Sequence, residues 1–409
     1  MALFKINLCQ WQVFAHFAVL KISTMGSLFS VGKHCKAVLF LTLALFVSCD
    51  PSTREDPRDD SPVSLSSIAR MMSELPLDTE HLREVHNAVS TSAENGYDEE
   101  YTMSSLFSSP GTGVGEEAGS SRAGEWGNPM KDLISSWFQE KYGSSTRGGD
   151  SYGAEDYLAM LSSSDTQIYW PYSEDWDGRS MPIVTFDPGY RAETNIGYEI
   201  CEDGIIREVT VSEELAAKRP VWVINSNDDS TYETLQMYQR RRAGAAKIPT
   251  RAGTKTLYVK DFTMLRHYDC WFAGASEFFI KCGSVENFTA TTEAELRLYS
   301  PMITDFMVVI KRKQLNQTVP VGTVLVSGIT DQLERLAFMV TEDDGGSRTS
   351  WDCSAVVKVK SKSYGFDIEL PFNSRDDIVW RGSLAMDFFE GKEEVSGNFS
   401  GVKIGFEIK

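Results

Sequence analysis

The sequence predicts an α+β protein: a helical N-terminal region followed by mostly antiparallel β domains, the last of them a β-sandwich. Three observations carry this. Between residues 64 and 142 apolar side chains recur at helical spacing. Near Ala154 the pattern changes to short β-branched and aromatic runs. From Lys255 to Lys409 such runs return about every 10–20 residues, with turn residues between them.

SLSSIARMMSEL, starting at Ser64, has the helical period and stops at Pro76, whose ring cannot continue a helix. Asp78 is placed to cap TEHLREVHNAVSTSAEN, in which Leu82, Val85 and Val89 share a face and Asn95-Gly96 supply the stop. Asn128-Pro129 has the cap-then-proline form of a helix start. The helix that follows puts Met130, Leu133, Ile134, Trp137 and Phe138 on one side. Gly and Ser are dense from Ser108 onward and again from Ser144 to Gly153. Residues 63–143 therefore read as a helical region with a Gly/Ser-rich loop, either a small module or a set of helices dressing the next domain.

A short helix through Tyr157–Leu161 opens a β-rich domain over 154–250, with MPIVTF, IREVTV and RPVWVINS as strands. Thr231 to Gly244 fits a helix or a long hairpin arm equally well. Over 255–409 the strands are TLYVKDFTML, EFFIKC, ELRLYS, DFMVVIKRKQL, TVLVSGI, RLAFMV, SAVVKVKSK, YGFDIELPF, SLAMDFF and VKIGFEI. Alternation is clear in VVKVKSK and VKIGFEI, one face apolar and one polar. A β-sandwich of about eight strands is the predicted architecture.

Residues 33–50, KHCKAVLFLTLALFVSCD, are of another kind. Lys33 and Lys36 lead into the apolar run Ala37–Val47, and Ser48-Cys49 follow at once. A basic lead, an apolar stretch of about 7–15 residues and a small residue before the cut are the parts of a secretory signal. A spanning helix needs about 20 apolar residues. The cysteine directly after the small residue makes Leu45-Phe46-Val47-Ser48-Cys49 resemble the lipobox of bacterial lipoproteins, a family that usually carries Leu where Phe46 stands. The resemblance implies that Cys49 is diacylated, becomes the mature N-terminus and holds the protein to a membrane. An ordinary signal peptide and a plain membrane anchor are the alternatives. Met1–Leu20 is a second apolar stretch ahead of the basic residues, and a start at Met25 gives a signal of ordinary length.

Residues 1–48 are thus the expected signal region. DPSTREDPRDDSP after Cys49 makes 49–62 an expected disordered, acidic tether, since it cannot bury enough apolar surface to order itself. In enterobacterial lipoproteins an acid in the place of Asp50 implies retention in the inner membrane. The acidic start and aromatic-rich remainder are more similar to Bacteroidetes lipoproteins, in which acids after the cysteine accompany export to the surface. The resemblance implies a cell-envelope location, at the outer membrane or cell surface.

Removing residues 1–48 takes away four lysines and no acid, so the net charge falls from -18 to -22 over 361 residues. A surface this acidic repels phosphate backbones, which argues against a nucleic-acid partner. Cys201, Cys270, Cys282 and Cys353 follow Cys49; in an exported chain they permit two disulfides, or remain buried thiols. His81 and His86 stand five apart, about 140° from a shared helix face, where a zinc-protease helix needs four. His267 lacks the G-x-S-x-G elbow of a hydrolase triad. GTGVGEEAG (111–119) lacks the strand, helix and Lys of a phosphate cradle, and its Glu116-Glu117 repel phosphate.

Two features attract ligands. Glu342, Asp343, Asp344, Asp352, Asp376 and Asp377 lie in acidic clusters between predicted strands. Pooled at one end of a sandwich, they are a candidate Ca²⁺ site, set against ordinary solvated loop charge. Tyr169, Trp170, Tyr172 and Trp176 lie in YWPYSEDWDG, where flat rings beside acids suit a glycan platform; the same rings suit a core. The expected function is a lipid-anchored envelope protein acting as a binding or structural component, with a glycan or another envelope protein as partner. A carboxylate-dependent hydrolase is the least favoured reading, because no nucleophile or metal constellation accompanies it.

Overall fold

The computed structural model describes residues 63–108, 129–143, 152–189, 192–201, 204–227, 232–244 and 253–409. The signal region with Cys49, the tether, GTGVGEEAG and residues 144–151 lie outside them. Over the described residues the protein is α+β, with helices first and mostly antiparallel sheets after them.

Helix α1 (Leu65–Glu74) starts at Ser64, whose hydroxyl accepts the Ser67 N–H at 3.3 Å. Helix α2 (Thr79–Glu94) starts at Asp78, whose carboxylate accepts the N–H groups of Glu80 and His81 at 2.8 and 3.2 Å. Three more helices follow: α3 (Met103–Phe107), α4 (Pro129–Tyr142) and α5 (Ala154–Ser162). Along α4, Met130, Ile134 and Phe138 are buried, at the spacing that puts them on one face.

The first sheet has strands β1 (Glu100–Thr102), β2 (Thr166–Tyr169), β3 (Ile183–Phe186), β4 (Thr194–Ile200), β5 (Ile206–Ser212) and β6 (Val221–Ser226), in the order β1-β2-β6-β3-β4-β5. Only the β3–β6 pair is parallel. Side chains alternate between its faces, as the pleat requires. Ile168, Trp170, Val184, Trp222 and Ile224 point to the helices and share a core with Ile68, Met72, Val85, Val89 and Phe138. Tyr169, Ile183, Val221 and Val223 point the other way, onto Trp271 and Phe272. The helices therefore dress this sheet, and both of its faces are covered.

After β6 the chain passes through α7 (Leu235–Gly244), so the segment that fitted helix or hairpin is helical; the short α6 (Glu213–Ala216) precedes it between β5 and β6. Tyr238 O–H and Gln239 Nε2 donate to the carbonyls of Val324 and Val321, at 3.1 and 2.9 Å. Those carbonyls belong to a four-stranded sheet of β10 (Val319–Ile329), β7 (Lys255–Met264), β16 (Val402–Ile408) and β15 (Glu394–Phe399), in that order. The remaining strands form a six-stranded sheet: β13 (Lys362–Asn373), β12 (Arg348–Val359), β11 (Leu333–Glu342), β8 (Ser276–Ser284) and β9 (Met302–Ile310), with β14 (Asp377–Ala385) also on β11. One edge of β11 changes partner just after Arg335, from β12 to β8, while the other stays on β14. Val259, Phe262, Ile404 and Phe406 of one sheet and Phe278, Phe306, Phe338 and Val340 of the other belong to one apolar cluster.

Three expected strands are corrected. ELRLYS is a 3₁₀ turn over Glu293–Leu298 with no buried residue. The Glu295 carboxylate accepts from the Thr291 N–H at 2.9 Å and the Thr292 hydroxyl at 2.9 Å, a local closure that outcompetes pairing. SLAMDFF splits at Ala385, where β14 ends and Met386–Phe388 turns. DFMVVIKRKQL splits at Ile310 in the same way, before a 3₁₀ turn at Arg312–Gln314. Cys201, Cys270, Cys282 and Cys353 are all free thiols.

Two ion pairs, each with one buried partner, tie the first sheet and the short helix α6 to the C-terminal region. Arg312 donates from Nε and Nη2 to the Glu213 carboxylate at 2.8 and 2.9 Å. Lys311 Nζ stands 3.1 Å from Glu99, which also accepts the Ser173 hydroxyl at 2.8 Å.

Candidate functional site

Three segments converge at one end of the six-stranded sheet. β11 delivers Glu342 as its last residue, opposite Phe278 on one edge and Asp377 on the other. β8 brings Glu277, whose carbonyl accepts the Asp343 N–H at 3.0 Å. The connection from β7 to β8 brings Asp269. One carboxylate oxygen from each of Asp269, Glu277 and Glu342 lies within 4.8 Å of the other two.

Glu342 is 0% exposed, and among the described residues neither of its oxygens meets a hydrogen-bond donor. Burial first, then the Asp269 carboxyl against it, push the Glu342 carboxyl up to about 12, with Asp344 and Asp377 adding repulsion. Burial also raises Asp269, although the Arg312 guanidinium pulls the other way. An unpaired buried carboxylate is among the costliest groups a fold can carry, so this end of the sheet requires a proton or a cation.

Beside it stands a second carboxyl pair. Asp343 Oδ1 accepts from Gly345 N–H and Asn373 Nδ2 at 3.1 and 3.2 Å, and Asp376 Oδ2 accepts from Asn373 N–H at 2.9 Å. Asp343 Oδ2 and Asp376 Oδ1 are buried without partners. Burial, reinforced by the facing Asp343, raises Asp376 to about 7. The turn between β11 and β12 can approach this closely because Gly346 takes φ 104°, and a Cβ there would come within 2.8 Å of Ser374 Oγ.

Two cavities flank the turn at Arg375, which lines both. One, of about 380 Å³, lies over the acidic group and is lined by Asp187, Asn225, Tyr268, Asp269, Glu277 and Asp344 among others. The other, of about 640 Å³, has an aromatic wall in which the rings of Tyr232 and Phe279 meet edge to face at 4.4 Å. Lys281 Nζ stands 4.3 Å from the Phe279 ring and donates to both Asp305 oxygens at 3.0 and 2.9 Å. Arg348, Asn373 and Glu233 also line this cleft.

Of the expected calcium residues, Glu342, Asp343, Asp344, Asp376 and Asp377 gather at this end. Asp352 does not. It is exposed within β12, paired with Glu369, four residues beyond Arg348. At about 3.3 Å per residue that separates it by roughly 13 Å from the turn. Asp269 and Glu277 were not expected from the sequence. Glu277, the lone acid in SEFFIKC, is the signal that could have pointed there.

The glycan platform is also corrected. Tyr169 and Trp170 are adjacent on an extended chain, so alternation sends them to opposite faces, 0% and 1% exposed. Trp170 packs edge to face on Trp176 at 5.3 Å and on Trp222 at 5.8 Å, and His86 stacks on Trp176 at 5.1 Å. Tyr172 donates its O–H to Glu213 at 3.1 Å. The cavity beside Trp176 holds about 130 Å³, well under the roughly 300–1,000 Å³ of small-molecule pockets. His81 serves the α2 cap, and His267 is half-buried with Nδ1 unpartnered, its proton affinity lowered by burial. Cys49 lies outside the described residues. Compared with protein families, curated proteins and solved structures, the chain matches none.

Proposed function

We propose that this chain is a lipid-anchored cell-envelope protein whose folded part binds a carbohydrate in the cleft lined by Tyr232, Phe279, Lys281, Asp305, Arg348 and Asn373. The reading rests first on that cleft. Its volume, about 640 Å³, falls in the range of small-ligand pockets of roughly 300–1,000 Å³. Its wall sets the half-buried Tyr232 ring, backed by the buried Phe279 and suited to the apolar face of a pyranose, beside carboxylate, amide and guanidinium groups that suit hydroxyls. Glycan binding thus moves from the Trp170 segment to Tyr232. The two C-terminal sheets are read as the layers of a β-sandwich, supported by the apolar cluster they share.

The anchor rests on Ser48-Cys49 after the run Ala37–Val47. A second chain on Cys49 makes attachment stable where one chain holds only marginally. Cys49→Ala should abolish labelling by a palmitate analogue and release the protein to the soluble fraction; a mutant that stays membrane-bound and unprocessed would sink the anchor. For the cleft, a glycan array followed by calorimetry should give hits that Tyr232→Ala and Arg348→Ala weaken at least tenfold with folding intact. An array without hits, or hits unmoved by both changes, would refute carbohydrate binding there.

A further inference from the structure

We propose that Asp269, Glu277 and Glu342 form a binding site for a hard divalent cation, with Ca²⁺ as its occupant. Four observations carry it. Three carboxylates from separate segments of the chain present one oxygen each within 4.8 Å of the others. Glu342 is fully buried and both of its oxygens lack a donor. Two cations of the neighbourhood are committed elsewhere: Arg312 grips Glu213 and the Asp269 carbonyl, and Lys281 is bidentate to Asp305. The adjoining cavity, lined by Tyr268, Asp343 and Asp344, leaves room for water to complete a coordination sphere.

The donor chemistry selects the ion. All-oxygen, anionic ligands without His or Cys favour Ca²⁺, Mg²⁺ or Mn²⁺ over Zn²⁺ and Cu²⁺. Ligands opposed across Ca²⁺ stand about 4.6–5.2 Å apart, so oxygens within 4.8 Å fit its sphere without moving the backbone. Opposed ligands on Mg²⁺ stand only about 4.0–4.2 Å apart, and that ion gives up its water reluctantly. The site joins β8, β11 and the β7–β8 connection, so a bound ion would clamp the segment whose Trp271 and Phe272 cover the first sheet. It shares none of its three ligands with the carbohydrate cleft, and the two proposals stand or fall separately.

The test uses the chelator-treated full chain, titrated with CaCl₂, MgCl₂ and MnCl₂ by calorimetry and thermal melting. Ca²⁺ should bind at one equivalent and raise the melting temperature by several degrees at millimolar concentration, through mass action on the native state. Glu342→Gln should fold without metal, its neutral amide standing in for the protonated carboxyl, yet lose the Ca²⁺ shift. Glu277→Gln, at a half-buried position, should lose the shift too if Glu342→Gln fails to fold. Asp352→Asn should keep it. Tb³⁺ should show sensitised emission from nearby aromatic residues, displaced by Ca²⁺. Absence of any one-equivalent binding or melting shift with all three cations would overturn the proposal, and would leave the carboxyls sharing protons. Retention of the Ca²⁺ shift in both Glu342→Gln and Glu277→Gln would overturn it as well.

Discussion

Trp170 is held by geometry from several sides: Trp222 and Trp176 meet its ring edge to face, His86 does the same at 5.6 Å, and its backbone N–H donates to the Glu99 carbonyl at 2.9 Å. Emptying such a site costs about 3–5 kcal/mol, the lost transfer energy plus the cavity left behind. Trp170→Ala should therefore lower the unfolding free energy by that amount in urea titrations, and Trp176→Ala, which is only half-buried, by clearly less. A change under about 1 kcal/mol for Trp170→Ala would place the ring outside the packed core. At this scale the sequence was legible where a rule is local. Asp78 could be read as a cap because its partners are two and three residues away. Asp269 and Glu342 could not be joined, because only the folded sheet brings together residues more than seventy positions apart.

Between elements, the Glu99–Lys311 contact carries a pH dependence. Burial, partly offset by Lys311, raises Glu99 from 4.5 to about 8. The folded state then holds this proton more tightly than the unfolded chain does. Its contribution to stability is full below about pH 4.5 and is lost as pH rises through about 8. Relative to Glu99→Gln, wild type should lose ground in urea midpoint between pH 5 and pH 9, and an unchanged difference would show that Glu99 is not the titrating group. The elements themselves divide by length and partner. Long amphipathic helices and the alternating strands β12, β13 and β16 were readable, because burial repeats along them. The three-residue β1 and the strand β15, polar at most positions, were not; their partners hold them in place. ELRLYS misled because threonine hydroxyls closed a turn on Glu295 before a neighbour could pair.

For the whole molecule, the first sheet is the organising layer. Its alternating residues send one set to the helices and the other to Trp271 and Phe272, and Asn225 Nδ2 donates to the carbonyls of Phe272 and Ala273 at 3.1 and 2.6 Å. The order of helices and sheets was legible in the changes of period near Ala154 and Lys255. That the helices share a core with the next segment was legible only as one of two options, since an amphipathic face does not name what covers it.

The position of β16 sets a pace. It lies between β7 and β15, with Ile408 opposite Leu257 and Val402 opposite Met264. These pairs close loops of roughly 140–150 residues, so loop entropy must be met before their hydrogen bonds form. During refolding β7 waits with one edge open until the β15–β16 hairpin arrives; that hairpin closes locally, Phe399 opposite Val402, and leaves the other edge of β16 open meanwhile. Stopped-flow refolding should run on the millisecond-to-second scale of non-local β topologies. Ile404→Pro, which removes a ladder N–H from β16, should leave those edges waiting and turn a first-order refolding phase into concentration-dependent aggregation.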